Sequence, residues 1–289
     1  MGWTCYDSDS RSARAFSLGY FEKDADDIFE QNKKGEIHES MKPSKALIRE
    51  ARDSDAHPNS LPIIVALDVT GSMGKIPHAL VKDGLPNMVG NMIQRGIPDP
   101  AILFLGIGDH EVDDAPLQVG QFESGDAELD MWLTRTWIEK GGGGNTGESY
   151  LLAWYFAAHH TVTDADEKRG QKGFLFTIGD EPSLRHLPKS AIKEVMGQDT
   201  QATFTDKQLL EAVQEKYEVF HLHIMEGSAG HRSLPYWKDL LDQRCIKVDD
   251  YTKVGEVIAD TVVSNVDNKV SFEKMKPVIG NDKKEEEIL

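Results

Sequence analysis

Three stretches of this chain are apolar on both faces and short: Ile63-Ile64-Val65-Ala66-Leu67, "AILFLGIGDH" from Ala101, and "GFLFTIGD" from Gly173. A strand that is apolar at every position, rather than at alternate ones, has both faces of its sheet covered. Helix-period segments lie between these runs. "KIPHALVKDGLPNMVGNMIQRG" spaces Ile76, Leu80, Met88, Met92 and Ile93 helically, with Gly84 and Pro86 expected to kink or interrupt it. "DAELDMWLTRTWIEK" puts Leu129, Trp132, Leu133 and Trp137 on one helical face, and "SYLLAWYFAAHH" is apolar nearly all round, the mark of a buried helix. "TDKQLLEAVQEKY" predicts an amphipathic helix capped by Thr205 or Asp206. "LQVGQF" reads as a short edge strand, "EVFHLHIM" and "CIKVDD" as further strands, and "KVGEVIADTVVSNV" as a closing helix. The alternation predicts a doubly wound α/β fold, a mostly parallel sheet with helices on both faces.

That domain spans residues 59–267. Residues 1–58 are polar and weakly patterned, an N-terminal extension packed on the main domain or partly disordered, with "SKALIREARD" as a short helix. Residues 268–289 end in a charge run and read as a flexible tail. Of 289 residues, 32 are basic and 49 acidic, a formal charge of −17. This much negative charge repels phosphate backbones and argues against nucleic acid as a partner. The two cysteines, Cys5 and Cys245, form no CxxC pair or disulfide framework, which fits a reducing compartment. "MGWTCYDSDSRSARAF" lacks the apolar segment of a signal peptide, and the longest apolar run is far short of a membrane span. The expectation is a soluble, cytoplasmic protein without a membrane partner.

In a parallel α/β sheet, ligands bind at the carboxyl ends of the strands. Three loops there carry oxygen ligands: Asp68-Val69-Thr70-Gly71-Ser72 after the first strand, Asp180 in "FTIGDEPS", and Thr146 in "GGGGNTGES" before the buried helix. Carboxylates and hydroxyls are hard donors, suited to Mg2+ or Mn2+. Side chains at 68, 70 and 72 converge on one ion if the backbone stays extended through the turn. A turn alone also explains "DVTGS", since all of its polar residues favour turns.

With these residues in this order, residues 61–266 resemble the von Willebrand factor A domain and its metal-ion-dependent adhesion site, Asp-x-Ser/Thr-x-Ser with a distant Thr and a distant Asp. Here the pattern stands complete as Asp68, Thr70, Ser72, Thr146 and Asp180. The resemblance implies direct ligation by Thr70 and Ser72, by Thr146 in the ligand-ready state, and largely water-mediated roles for Asp68 and Asp180. It further implies a non-enzymatic, Mg2+-dependent module whose ion takes a carboxylate from a partner protein. The resemblance is to the intracellular prokaryotic or phage type, several members of which work beside AAA+ ATPases or kinase and phosphatase partners. Two alternatives stay open. One is a metal-dependent phosphoesterase or hydrolase using Asp68 and Asp180, with His110 or Glu181 as base. The other is a structural subunit of a larger assembly with an idle metal site.

Other signals are weaker. "TGSMG" lacks the first glycine of a nucleophile elbow, and Glu148 stands where "GGGGNTGES" would need lysine to be a phosphate loop. Asp109, Glu111, Asp113 and Asp114 read as a solvated loop or an auxiliary cation site. His221 and His223 share one strand face, as structural or edge histidines or as a chelating pair. Trp132, Trp137, Trp154, Tyr155 and Phe156 read as core.

Overall fold

The computed structural model describes residues 4–139, 147–226 and 228–275, with backbone alone at Ser72, Ser228 and 268–275. The strands are β1 (Arg49–Ala51), β2 (Leu61–Asp68), β3 (Pro100–Ile107), β4 (Leu117–Val119), β5 (Thr161–Thr163), β6 (Gly173–Gly179), β7 (His186–Leu187), β8 (Phe204–Thr205), β9 (Tyr217–Ile224) and β10 (Cys245–Val248). The main sheet is six-stranded in the order β10-β9-β6-β2-β3-β4. Its pairings are parallel except at the edge, where β4 runs antiparallel to β3. The helices are α1 (Ser8–Ser17), α2 (Ala25–Ile28), α3 (Glu30–Lys34), α4 (Lys75–Ala79), α5 (Asn91–Gln94), α6 (Asp126–Thr134), α7 (Tyr150–His160), α8 (Asp164–Arg169), α9 (Lys189–Met196), α10 (Asp206–Gln214), α11 (Ser228–Leu241) and α12 (Val254–Met275).

The uninterrupted apolar runs do what their pattern demands. On β2, Ile63, Val65 and Leu67 enter one core with the helical run from Ile76 to Met92, α6 and α12. Ile64 and Ala66 enter a second core with α7, α9, α10 and α11. Helices therefore cover both faces, and the fold is the doubly wound α/β sandwich that the pattern predicts. The α10 cap is Thr205, in a reciprocal capping box with Gln208.

Several local expectations are corrected. Gly84 and Pro86 do not break their helix: π turns at Leu80–Gly84 and Pro86–Gly90 join α4 to α5. Leu85 N–H donates to the Leu80 carbonyl five residues back, so the ladder slips by one residue around the proline, which has no N–H to give. Gly84 serves a close approach, since a methyl on Gly255 of α12 would stand 2.6 Å from the Gly84 carbonyl oxygen. Trp137 lies beyond α6, held extended by Gln118, whose amide exchanges two 2.8 Å hydrogen bonds with the Trp137 backbone. "SKALIREARD" is not a helix. Pro43–Lys45 makes a 3-10 turn, and β1 follows it to pair in parallel with β5. That pairing partner is more than a hundred residues away, so no local pattern announces it.

The segment before β2 shares the first core: Ala15, Tyr20, Ile28 and Phe29 are buried there. Its polar anchors grip α6. Arg11, fully buried, meets Asp130 at 2.9 Å and donates to the Val81 carbonyl, and Tyr20 donates to Asp130 at 2.9 Å. Thr4 donates to Glu128 at 3.0 Å, and Arg14 to Asp126 at 2.5 Å.

His221 and His223 are interior, not edge, residues: both are wholly buried on β9, which lies between β10 and β6. Their bonds fix both tautomers. His223 Nε2 donates to the Gly230 carbonyl at 2.7 Å, so its Nδ1 accepts from His221 Nε2 at 3.1 Å. His221 Nδ1 then accepts from the Thr177 hydroxyl at 2.9 Å. Burial holds both rings below the ordinary value of 6.5; at His223 the Gly230 hydrogen bond works against it and His231 and Lys247 add to it, and at His221 the neighbouring His223 ring adds to it. Below that pH the unfolded chain binds the protons that these folded rings refuse. Their contribution is therefore complete above about 6.5 and lost as pH falls beneath it. His223→Gln keeps one donor and one acceptor, so between pH 7.5 and 5.5 it should lose less thermal stability than the unaltered chain. Melting curves at the two pH values check this.

Candidate metal centre

The chain leaves β2 toward β3 on one side, while β6 lies on the other, so the strand order reverses at β2. A reversal of this kind opens a crevice at the carboxyl ends of the two strands. Asp68 is the last residue of β2, and Asp180 is the first after β6. Thr70 is extended, at φ −89° and ψ 156°, and leads into a 3-10 turn, Gly71–Gly74, that carries Ser72.

Asp68 is 1% exposed. Its Oδ1 accepts from the Thr70 N–H at 2.9 Å and the Thr70 hydroxyl at 2.7 Å, and its Oδ2 accepts from the Tyr150 hydroxyl at 3.1 Å. Gly179 makes room for this: a methyl there would overlap the Tyr150 hydroxyl and stand 2.9 Å from Asp68 Oδ2. Gly179→Ala should therefore cost about 1–3 kcal/mol of overpacking. Thermal unfolding measures that cost.

A residue not singled out as a ligand completes the cluster. Glu148, 8% exposed, accepts from the Thr70 hydroxyl through Oε1 at 3.2 Å. Its Oε2 is buried with no hydrogen-bond partner among the described residues. The strap around it ties three loops together. Glu148 N–H donates to the Pro182 carbonyl at 2.9 Å, and Leu184 N–H returns to the Glu148 carbonyl at 3.0 Å. Ser149 N–H donates to the Gly108 carbonyl at 3.1 Å. No local signal marks Glu148 as a ligand: it stands in a glycine-rich loop one residue before the N-cap of α7.

Burial dominates the electrostatics. It pushes the Asp68 carboxyl well above the usual carboxylate range, with Asp180 adding to it against the Thr70 hydrogen bonds. It pushes Glu148 up in the same way, with Asp68 and then Asp113 adding. Asp180 rises to about 6, by burial first and then by Glu181. Buried carboxylates raised together are costly to ionise unless a cation joins them.

The five predicted ligands fall as follows. Asp68 and Thr70 are in contact, and Asp180 stands beside them across Gly179. The side chain of Ser72 and the whole of Thr146 lie outside the described residues, although the chain resumes at Gly147 beside the site. Among the described residues, no group of three or more His, Cys, Asp or Glu side chains is arranged to hold a metal ion. A centre here depends on hydroxyls as much as carboxylates. The donor set fits a hard divalent cation on two observations: Asp68, Thr70, Glu148 and Asp180 all offer oxygen, with Lys75 and Arg232 acting only on Asp180 from farther off, and the buried Glu148 Oε2 faces no donor among the described residues.

The acidic loop after β3 is only partly solvated. Glu111 and Asp114 are exposed, but Asp109 is buried and its N–H donates to Asp113 at 2.7 Å. His110 Nδ1 lies 2.8 Å from the Ser149 hydroxyl. Trp132, Trp137, Trp154, Tyr155 and Phe156 are buried. No described helix is long and apolar enough to cross a membrane.

No protein-family model and no curated relative matches the chain. Among solved structures it is similar to the pilus adhesin SpaC from Lactobacillus rhamnosus GG, in its open conformation, at 10% identity over 75% of this chain and 31% of the adhesin, with a TM-score of 0.46. It is similar to proximal thread matrix protein 1 from the mussel byssus at 10% identity, over 75% of this chain and 48% of that one, with a TM-score of 0.47. A von Willebrand factor type A structure from Catenulispora acidiphila is 11% identical over 71% of this chain and 42% of its own, with a TM-score of 0.41. The chain spans less than half the length of each of these proteins. Likenesses this distant do not bear on the site, and the fold rests on the sheet order itself.

Proposed function

We propose that this chain is a cation-dependent protein-interaction module of the von Willebrand factor A type, without catalytic activity. Its ion-binding set is Asp68, Thr70, Ser72, Thr146 and Asp180, and its ion is Mg2+ or Mn2+. The observation that carries the reading is the junction at the strand reversal, where a buried Asp68 holds both the backbone and the hydroxyl of Thr70 beside Asp180. Asp68 accepts the hydrogen bond of the Thr70 hydroxyl, which turns the hydroxyl's lone pairs away from Asp68 and leaves them available to a cation. Tyr150 fixes the other Asp68 oxygen, and the buried apolar residues of β2 and β6 behind it hold the carboxylate in place. The bound cation supplies a positive centre to which an acidic side chain of a partner binds by a charge-assisted contact. In a chain of formal charge −17, that local positive centre is what makes an acidic partner acceptable. The partner is a protein presenting Asp or Glu, of the kind found beside AAA+ ATPases or kinase and phosphatase systems.

The test is capture from source-cell lysate by the immobilised chain, in Mg2+ and in EDTA, with Thr146→Ala as control. Capture that needs both Mg2+ and Thr146 is the expected result. Capture equal in EDTA means that the working surface lies away from the crevice.

A further inference from the structure

We propose that Glu148 is itself a ligand of this cation, an anionic donor beyond the five-residue set; the inference rests on the cation reading above. The Thr70 hydroxyl has one proton and two carboxylate oxygens within reach, Asp68 Oδ1 at 2.7 Å and Glu148 Oε1 at 3.2 Å. It can satisfy only one of them at a time, and Asp68 holds the shorter bond. Glu148 is then left with one oxygen weakly served and the other, Oε2, buried with no hydrogen-bond partner among the described residues. A buried carboxylate in that position is stabilised by a cation or by added donors, and the charged groups that act on Glu148, namely Asp68, Asp113 and Asp109, are all acidic.

The placement is not accidental to a mobile side chain. The Glu148 backbone is fixed by hydrogen bonds on both sides to the loop that follows Asp180, at 2.9 Å and 3.0 Å. Its neighbour Ser149 is fixed to the loop after β3 at 3.1 Å. A ligand carried on a strap pinned at both ends is held in place before the ion arrives, which lowers the ordering cost of binding. Its chemical consequence is charge. Asp68, Glu148 and Asp180 together exceed the charge of a divalent ion, so Glu148 favours retention of the ion and moderates its pull on a partner's carboxylate. Glu148 thereby sets how tightly the ion is held independently of the partner.

The experiment is calorimetric titration of Mn2+ into chelator-treated protein, comparing the unaltered chain with Glu148→Gln. Glutamine keeps the size and an oxygen toward Thr70 but removes the charge. We expect Mn2+ to bind at least about tenfold more weakly to the variant, with the cation-free melting curve retained. Glu148→Ala, titrated in the same way, covers the case in which glutamine is not accommodated. Equal Mn2+ affinity in the unaltered chain and a folded Glu148 variant overturns the role of Glu148 and leaves the cation reading intact. Absence of Mn2+ binding to the unaltered chain overturns both.

Discussion

Asp68→Asn should leave the fold standing and remove its response to divalent cations. The asparagine oxygen still accepts from the Thr70 N–H and hydroxyl, and its amide can donate to Tyr150 where Asp68 Oδ2 now accepts at 3.1 Å. What disappears is the charge of a side chain that is 1% exposed. Without the cation, that charge has a desolvation cost and no countercharge, so the cation-free variant should melt at or above the temperature of the unaltered chain. With Mg2+ at about a hundred times its dissociation constant, the unaltered chain should gain about 2.7 kcal/mol, or about 4–5 °C in Tm. The variant should gain nothing. The opposite signs of the two effects separate loss of a ligand from loss of the fold. A variant that keeps the full Mg2+ shift shows that Asp68 takes no part in binding.

Arg11→Ala should be strongly destabilising although it lies away from the crevice. The guanidinium is fully buried, pairs with Asp130 at 2.9 Å and donates to the Val81 carbonyl, tying α1 to α6 and to the helical run after β2. Truncation leaves Asp130 buried with only the Tyr20 hydroxyl, at 2.9 Å, donating to it among the described side chains. Breaking a buried pair from one side costs about 3–5 kcal/mol, on the order of 10 °C in Tm here. Replacing both partners by apolar residues, Arg11→Met with Asp130→Leu, should recover part of the loss, because no uncompensated charge then remains. Thermal unfolding of the three chains decides it. An Arg11→Ala protein that melts with the unaltered chain would mean that the buried Arg11–Asp130 pair adds nothing net to stability.

These two sites differ in how readable they were. Asp68, Thr70 and Asp180 could be read from the chain because a wholly apolar strand that stops at a carboxylate has only one place to put it, the carboxyl edge of the sheet. Glu148 and Tyr150 could not. Glu148 stands in a glycine-rich loop and Tyr150 in a helix whose apolar character spoke only of burial, and their polar atoms gain meaning from Thr70 and Asp68, some eighty residues away. Arg11 was hidden for the same reason: in a polar, unpatterned segment nothing marks the one guanidinium whose partner is Asp130. β1 went unrecognised because its pairing with β5 overrides local helical preference, and the helix through Pro86 persisted because π turns absorb the missing donor. Period and burial are local signals, whereas pairing across the fold is not.

The most direct test of the central claim is the stoichiometry of Mn2+ on the chelator-treated protein, read from the loss of the free-ion electron paramagnetic resonance signal. One bound ion per chain, absent from Asp68→Asn and from Asp180→Ala, is the predicted result. An unaltered chain that leaves millimolar Mn2+ free, or an Asp180→Ala chain that binds as the unaltered one does, would contradict it.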